Sequence, residues 1–217
     1  MTVYVQLLNL ACGALLLTAV LVLWRRELSI IIRVFAAQGV ALAVLVAILA
    51  SHEGSAELWL VAAGVLLLRA GALPVLLHRA LVVGEQRREA RPLVNVAASL
   101  LAAAALTLLA HGMSQPLIAL APSPATRAIP VAIAVVLIGF FVLVTRRHAL
   151  SQLVGFLLLD NGITAAGFLT TSGAGLIVEL GVSLDVLFAV LVLHILISRM
   201  REAFGDTDLD ELRELRD

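Results

Sequence analysis

The chain contains no lysine, a single cysteine and a single tyrosine, and charged residues make up only 14% of its 217 positions. A soluble domain of this length carries roughly a quarter charged residues. The deficit is filled by Leu, Ala, Val and Ile in long runs, bringing the hydrophobic share to 62%, and no water-exposed surface tolerates runs of that kind. The lone thiol, Cys12, excludes an internal disulfide and cannot by itself hold an iron–sulfur cluster or a structural zinc. All fifteen basic residues are Arg, which reads as a coding bias more than a physical requirement. The net charge is zero, so the distribution of charge carries more information than its sum.

What is present is a series of apolar segments long enough to cross a bilayer. A helix needs roughly 20 apolar residues for that, and seven segments qualify: approximately 2–23, 29–50, 58–82, 93–112, 128–145, 149–170 and 176–198. The runs are continuous instead of alternating, which indicates helices and not barrel strands. The first run has no basic segment before it and is too long for a signal-peptide core; it reads as a retained membrane helix. The expected fold is therefore an all-α integral membrane protein of seven transmembrane helices.

Arginine positions orient the spans. The connections after spans one, three and five and the C-terminal tail hold Arg25, Arg26, Arg79, Arg87, Arg88, Arg91, Arg146, Arg147, Arg199, Arg201, Arg213 and Arg216, whereas the intervening connections hold only Arg127. By the positive-inside rule the N-terminus is expected outside and the C-terminus inside, in a prokaryotic cytoplasmic membrane. A Pro-containing outside loop, 113–127, separates four N-terminal helices (1–112) from a final three (128–198), and a polar tail follows (199–217). In that tail Thr207 and Asp210 have the spacing of a capping box ahead of a short helix.

A candidate parallel three-helix repeat underlies this division. With an offset of 122, Leu28-Ser29 meets Leu150-Ser151, Gln38 meets Asp160, and Glu57-Leu58 meets Glu179-Leu180. Chance alignment of Leu- and Ala-rich sequence is the competing explanation.

Charge inside a span is costly and usually faces protein, a partner or water. The residues concerned are Arg33, Arg69, Asp160, Glu179, Asp185 and His194, with the polar Gln38 central in span two. Arg69, Asp160 and Asp185 fall near the middle of spans three, six and seven. Arg33 lies about one turn inside span two and can snorkel to the interface. Two readings stand side by side. One is a hydrophilic path with Glu179 at an outer level, Asp160 and Asp185 centrally and His194 below; the other is structural pairing, with Arg69 neutralising a central carboxylate. Pro74 leaves the carbonyl of Ala70 without its helical partner, so a kink is expected beside Arg69. No metal-ligand spacing, nucleophile–base pair, phosphate-binding loop or nucleic-acid motif occurs, so no metal, cofactor or nucleic-acid partner is expected.

The segments Leu153-Val154-Gly155-Phe156-Leu157-Leu158-Leu159-Asp160-Asn161-Gly162-Ile163 and Ile177-Val178-Glu179-Leu180-Gly181-Val182-Ser183-Leu184-Asp185 resemble hydrogenase-4 component E. The resemblance extends over the whole chain and is most specific over 145–217. That family is similar in its last three helices to the NuoK subunit of respiratory complex I and the MrpC subunit of multisubunit cation/proton antiporters. It implies a non-catalytic membrane subunit of a group 4 hydrogenase or formate hydrogenlyase-like complex, with antiporter-like membrane subunits and a cytoplasmic redox module as partners within the lipid bilayer. It also implies proton-path carboxylates in the middle and last helices of the NuoK-like unit. Here Leu157 stands at the middle-helix position, with Asp160 one turn later, and Asp185 stands at the last-helix position. A subunit of a cation/proton antiporter and a purely structural scaffold are the alternative functions.

Overall fold

The computed structural model describes residues 3–83 and 94–171. The seventh span, the polar tail and most of the connection after span three lie outside the described residues.

The helices follow the apolar runs. They are α1 (Val3–Trp24), α2 (Leu28–Glu53), α3 (Ala56–Val65), α4 (Leu73–Val83), α5 (Val96–Leu120), α6 (Ile129–Thr145) and α7 (Ala149–Thr171). A π-helical segment, Leu66–Ala72, joins α3 to α4 without a break, so the three together form one long span. Six helices among the described residues are long and apolar enough to cross a membrane, and no strand occurs among them.

Helix ends fall where the sequence supplies caps. Gly54 closes α2 in the left-handed region (φ 66°) and donates its N–H to the Ala50 carbonyl, a conformation that favours glycine. One residue later the Ser55 side chain accepts the Leu58 N–H at 3.3 Å and opens α3. Asn95 does the same for α5, accepting from the Ala98 N–H at 2.7 Å. Tyr4 stacks on His52 with ring centroids 3.9 Å apart, closing the far end of the α1–α2 hairpin.

Two elements differ from the sequence expectation. The fourth span was expected to end at Gly112, yet α5 continues to Leu120 with Pro116 inside it. A proline removes one intrahelical bond, here near the exposed end of the helix. Neighbouring side chains cover backbone acceptors there, with Ser114 Oγ donating to Ala110 O at 2.6 Å and Gln115 Nε2 to His111 O at 3.2 Å. The connection is thereby shortened, and Ser123 and Thr126 order it. The Ser123 N–H donates to Thr126 Oγ1 at 2.8 Å and the Thr126 N–H to Ser123 Oγ at 3.0 Å.

The second difference lies in span three. The disturbance expected at Pro74 takes the form of the π segment, in which the Leu73 N–H donates five residues back, to Leu68 O. Pro74 supplies no N–H to the turn ahead of it. A ladder already short of one bond takes in an extra residue at reduced cost.

The helices α1, α2, α6 and α7 enclose most of the core, with Leu8, Leu15, Phe35, Leu42, Leu45 and Leu158 fully buried, while α5 is largely exposed. The closest approach is between α6 and α7. A methyl group at Gly155 would lie 2.7 Å from the Leu143 backbone nitrogen, and one at Gly162 would lie 2.6 Å from that of Val136. At Gly139 it would lie 2.8 Å from the Leu159 Cα. Without a hydrophobic drive between helices in lipid, such backbone proximity supplies the dispersion contacts that hold them together.

Replacing Gly162 by Leu should therefore force α6 and α7 apart and lower stability by roughly 1–3 kcal/mol. The same change at Gly13, where a Cβ meets nothing within 4 Å, should be nearly silent. Thermal unfolding of the two full-length variants in one detergent compares them, and equal midpoints would contradict this packing.

Candidate functional site

Polar side chains from three helical elements, and a backbone carbonyl from a fourth, meet inside the bundle. On α7, Asp160, Asn161 and Thr164 fall at i, i+1 and i+4, which places all three on one side of the helix. The π segment presents Arg69 to them. Its Nη2 lies 2.6 Å from Asp160 Oδ2 and donates to Thr164 Oγ1 at 2.9 Å, while Nη1 donates to Asn161 Oδ1. Both ends of the ion pair are sealed from the surface, with side-chain exposures of 1% for Arg69 and 5% for Asp160.

The network then crosses the bundle. Asn161 Nδ2 donates to Gln38 Oε1 at 2.9 Å, and Gln38 Nε2 donates to the Leu15 carbonyl of α1 at 3.3 Å. Every donor in this series points away from the guanidinium, so each bond polarises the next in the same sense. No buried side-chain nitrogen or oxygen among the described residues lacks a partner. Gly39, beside Gln38, is what lets the elements meet. A Cβ there would lie 2.7 Å from the Arg69 carbonyl carbon and 2.8 Å from its oxygen.

The chemistry available is limited by residue type. Among the described residues of this cluster, Asp160 is the group that can hold and release a proton. Amides such as Gln38 and Asn161 orient their neighbours but do not titrate. A guanidinium stays charged, so Arg69 acts as a fixed cation set against a carboxylate whose charge is adjustable.

The structure thus brings together three of the expected residues, Asp160, Arg69 and Gln38. It places Arg33 apart from them, exposed near the start of α2, with Nε 3.4 Å from the Ser29 carbonyl. Glu179, Asp185 and His194 lie outside the described residues. Asn161 and Thr164 were not singled out by sequence reasoning, although their spacing behind Asp160 was a usable signal. Nor was Arg146, read as an ordinary loop cation. It is buried, and its Nη2 donates to the carbonyls of Val22, Leu23 and Arg25 at 3.1, 2.9 and 3.3 Å, capping the C-terminus of α1.

The candidate repeat set Gln38 against Asp160, and the observed hydrogen bond to Gln38 is donated by the next residue, Asn161. No family model and no solved structure matches the chain. Among curated proteins, one from Mycobacterium tuberculosis, described as uncharacterized protein Rv0085, is 53% identical over 214 residues, covering 97% of this chain and 96% of that protein. The chain belongs to the Rv0085 family. A distant homologue is hydrogenase-4 component E of Escherichia coli, 25% identical over 211 residues, covering 97% of this chain and 98% of that protein. The Shigella flexneri component E matches to the same extent. For the Rv0085 family member described here, both similarities span the described helices and the residues beyond them.

The pairing predicts a specific pattern of stabilities. Asp160→Asn removes the carboxylate 2.6 Å from a buried cation and should cost about 3–5 kcal/mol. Arg69→Gln combined with Asp160→Asn should recover much of that loss, because both charges of the pair are removed together. Unfolding of the full-length variants in detergent measures the coupling; strictly additive effects would contradict the pair.

Proposed function

We propose that this chain is a non-catalytic membrane subunit of a hydrogenase-like oxidoreductase related to complex I. It would link antiporter-like membrane subunits to a cytoplasmic redox module, with its N-terminus outside and its C-terminus inside. The observation that carries the reading is a buried, fully partnered guanidinium–carboxylate pair within the spans of a chain distantly homologous to hydrogenase-4 component E. Buried ionisable groups in spans are by default functional, because packing alone is achieved more cheaply with apolar side chains.

In this reading residues 128–198 form the NuoK-like and MrpC-like unit, and spans one to three and five to seven derive from one three-helix repeat. Asp160 and Asp185 exchange protons, Arg69 and Glu179 tune them, and His194 serves as an inner-side relay. When Asp160 takes up a proton its attraction to Arg69 weakens; when it loses the proton the pair re-forms. The hydrogen-bonded amides of Asn161 and Gln38 keep Arg69 oriented through the cycle.

A second reading has an observation in its favour. The Arg69–Asp160 contact is direct, and the amide series beyond it carries no titratable group, which is also what a purely structural brace looks like.

Gentle purification of the tagged chain should bring down a nickel–iron hydrogenase module with iron–sulfur proteins. Recovery with antiporter subunits alone would instead indicate a cation/proton antiporter. In the assembled complex, Asp185→Asn and the neutral pair Arg69→Gln with Asp160→Asn should each reduce coupled proton transport several-fold while subunit composition is kept. Unchanged transport in an intact complex would leave only the structural brace.

A further inference from the structure

One end of the bundle gathers arginines from two turns. The α1–α2 turn carries Arg25 and Arg26, and the α6–α7 turn carries Arg146 and Arg147. Arg146 fastens the two turns together through its bonds to Val22, Leu23 and Arg25 carbonyls, so the second arginine pair is drawn onto the first. Arg25 and Arg26 are exposed. The Arg25 guanidinium lies 4.9 Å from the centre of the Trp24 ring, and that ring is 54% exposed. A half-exposed tryptophan capped by a cation marks the headgroup level of a bilayer.

Arg33 adds a different kind of position. It belongs to an exposed stripe of α2 that continues through Ala37, Val40 and Val44, at i, i+4, i+7 and i+11, which is one face of the helix. Arg33 is five residues into α2, about 7.5 Å along its axis, and so stands deeper than the turn. The contact of its Nε with the Ser29 carbonyl, at 3.4 Å, shows the side chain folded back towards the helix start. None of Arg25, Arg26 and Arg33 is ion-paired among the described residues. The intervening acid, Glu27, instead accepts from Ser29 Oγ at 2.8 Å.

Several guanidinium groups at the edge of hydrocarbon repel one another unless an anion lies among them, and a phosphodiester is the anion the interface provides. The adjoining apolar stripe suits an acyl chain, and Arg33 stands below the level a water-borne phosphate would need to reach. We propose that this corner is a binding site for an anionic phospholipid, with Arg25, Arg26 and Arg33 around the headgroup phosphate and one acyl chain along Ala37, Val40 and Val44. The proposal is independent of the proton path and of the orientation of the chain.

The test uses the full chain in nanodiscs of phosphatidylcholine containing a minor share of phosphatidylglycerol, followed by release into the gas phase and counting of retained lipid. The wild type should retain phosphatidylglycerol in preference to phosphatidylcholine. Each surface arginine is worth about fivefold in affinity for anionic lipid. Arg33→Gln alone should therefore lower retention about fivefold, and the triple change of Arg25, Arg26 and Arg33 to Gln about a hundredfold. Arg127→Gln, an exposed change in the α5–α6 connection, should leave retention unchanged. Unfolding in pure phosphatidylcholine checks that each variant is folded, and Arg33→Gln serves alone if the triple variant is not.

Equal retention of the two lipids would overturn the proposal, as would unaltered retention by folded variants. Displacement of the lipid by millimolar inorganic phosphate would reassign the site to a soluble anion. Variants that keep the lipid but lose co-purifying subunits would make the patch a protein contact and overturn the lipid assignment.

Discussion

A guanidinium held inside a membrane-spanning bundle must have its counter-charge and its hydrogen-bond acceptors supplied by the protein, because neither lipid nor packed side chains can provide them. Among the described residues that demand is met for Arg69 by Asp160, Asn161 and Thr164 of α7, and much of the architecture can be traced from it. The three acceptors have to converge, so they sit within four residues of one another. Span three has to approach α7 at the level of Arg69. Asn161, having given its oxygen to the cation, must place its amide hydrogens elsewhere. Gln38 receives them and passes the same requirement to a backbone carbonyl of α1. One buried charge thus fixes the relative height of four elements.

Close packing makes this convergence feasible. Gly39 allows the backbone at Arg69 to lie directly against α2, and Gly139, Gly155 and Gly162 allow α6 to lie against α7. These glycines are spent on proximity and not on turns. The same economy operates at one end of the helices, where Arg146 satisfies two α1 carbonyls and that of Arg25 just beyond and binds the α1–α2 hairpin to the α6–α7 hairpin. The hydrophobic core fills the remaining space, but it is the polar contacts and the glycine contacts that set the register.

Much of this was legible in the sequence because it follows from one-dimensional rules. Apolar run length gave five of the six described spans nearly to their ends, and mid-span position singled out Asp160, Arg69 and Gln38. The overrun of α5 past Gly112 was hidden because Pro116 reads as a helix breaker, whereas an exposed helix end tolerates it. Asn161 and Thr164 were visible as letters but not as ligands of Arg69, since their role depends on the facing of two helices separated by some ninety residues. The burial of Arg146 was beyond reach for a similar reason. An arginine pair in a turn looks alike whether its side chains meet water or the carbonyl ends of a distant helix. Proline 74 announced an irregularity in span three, but its form, a wide turn placed ahead of the proline, depends on how the backbone shares out the missing bond.

That wide turn has a consequence for how the chain is compared with its relatives. It takes one residue more than a regular helix would to cover the same rise, and everything beyond it is rotated by about 100° from where a straight helix would put it. A homologue with a regular third span would be one position shorter between Leu66 and Ala72. An ungapped alignment of the two would then assign every residue of α4 to the wrong side of its helix, and Arg69 to the wrong counterpart. Gaps inside transmembrane helices are commonly penalised as implausible; in this segment a single-residue gap would be the physically correct one.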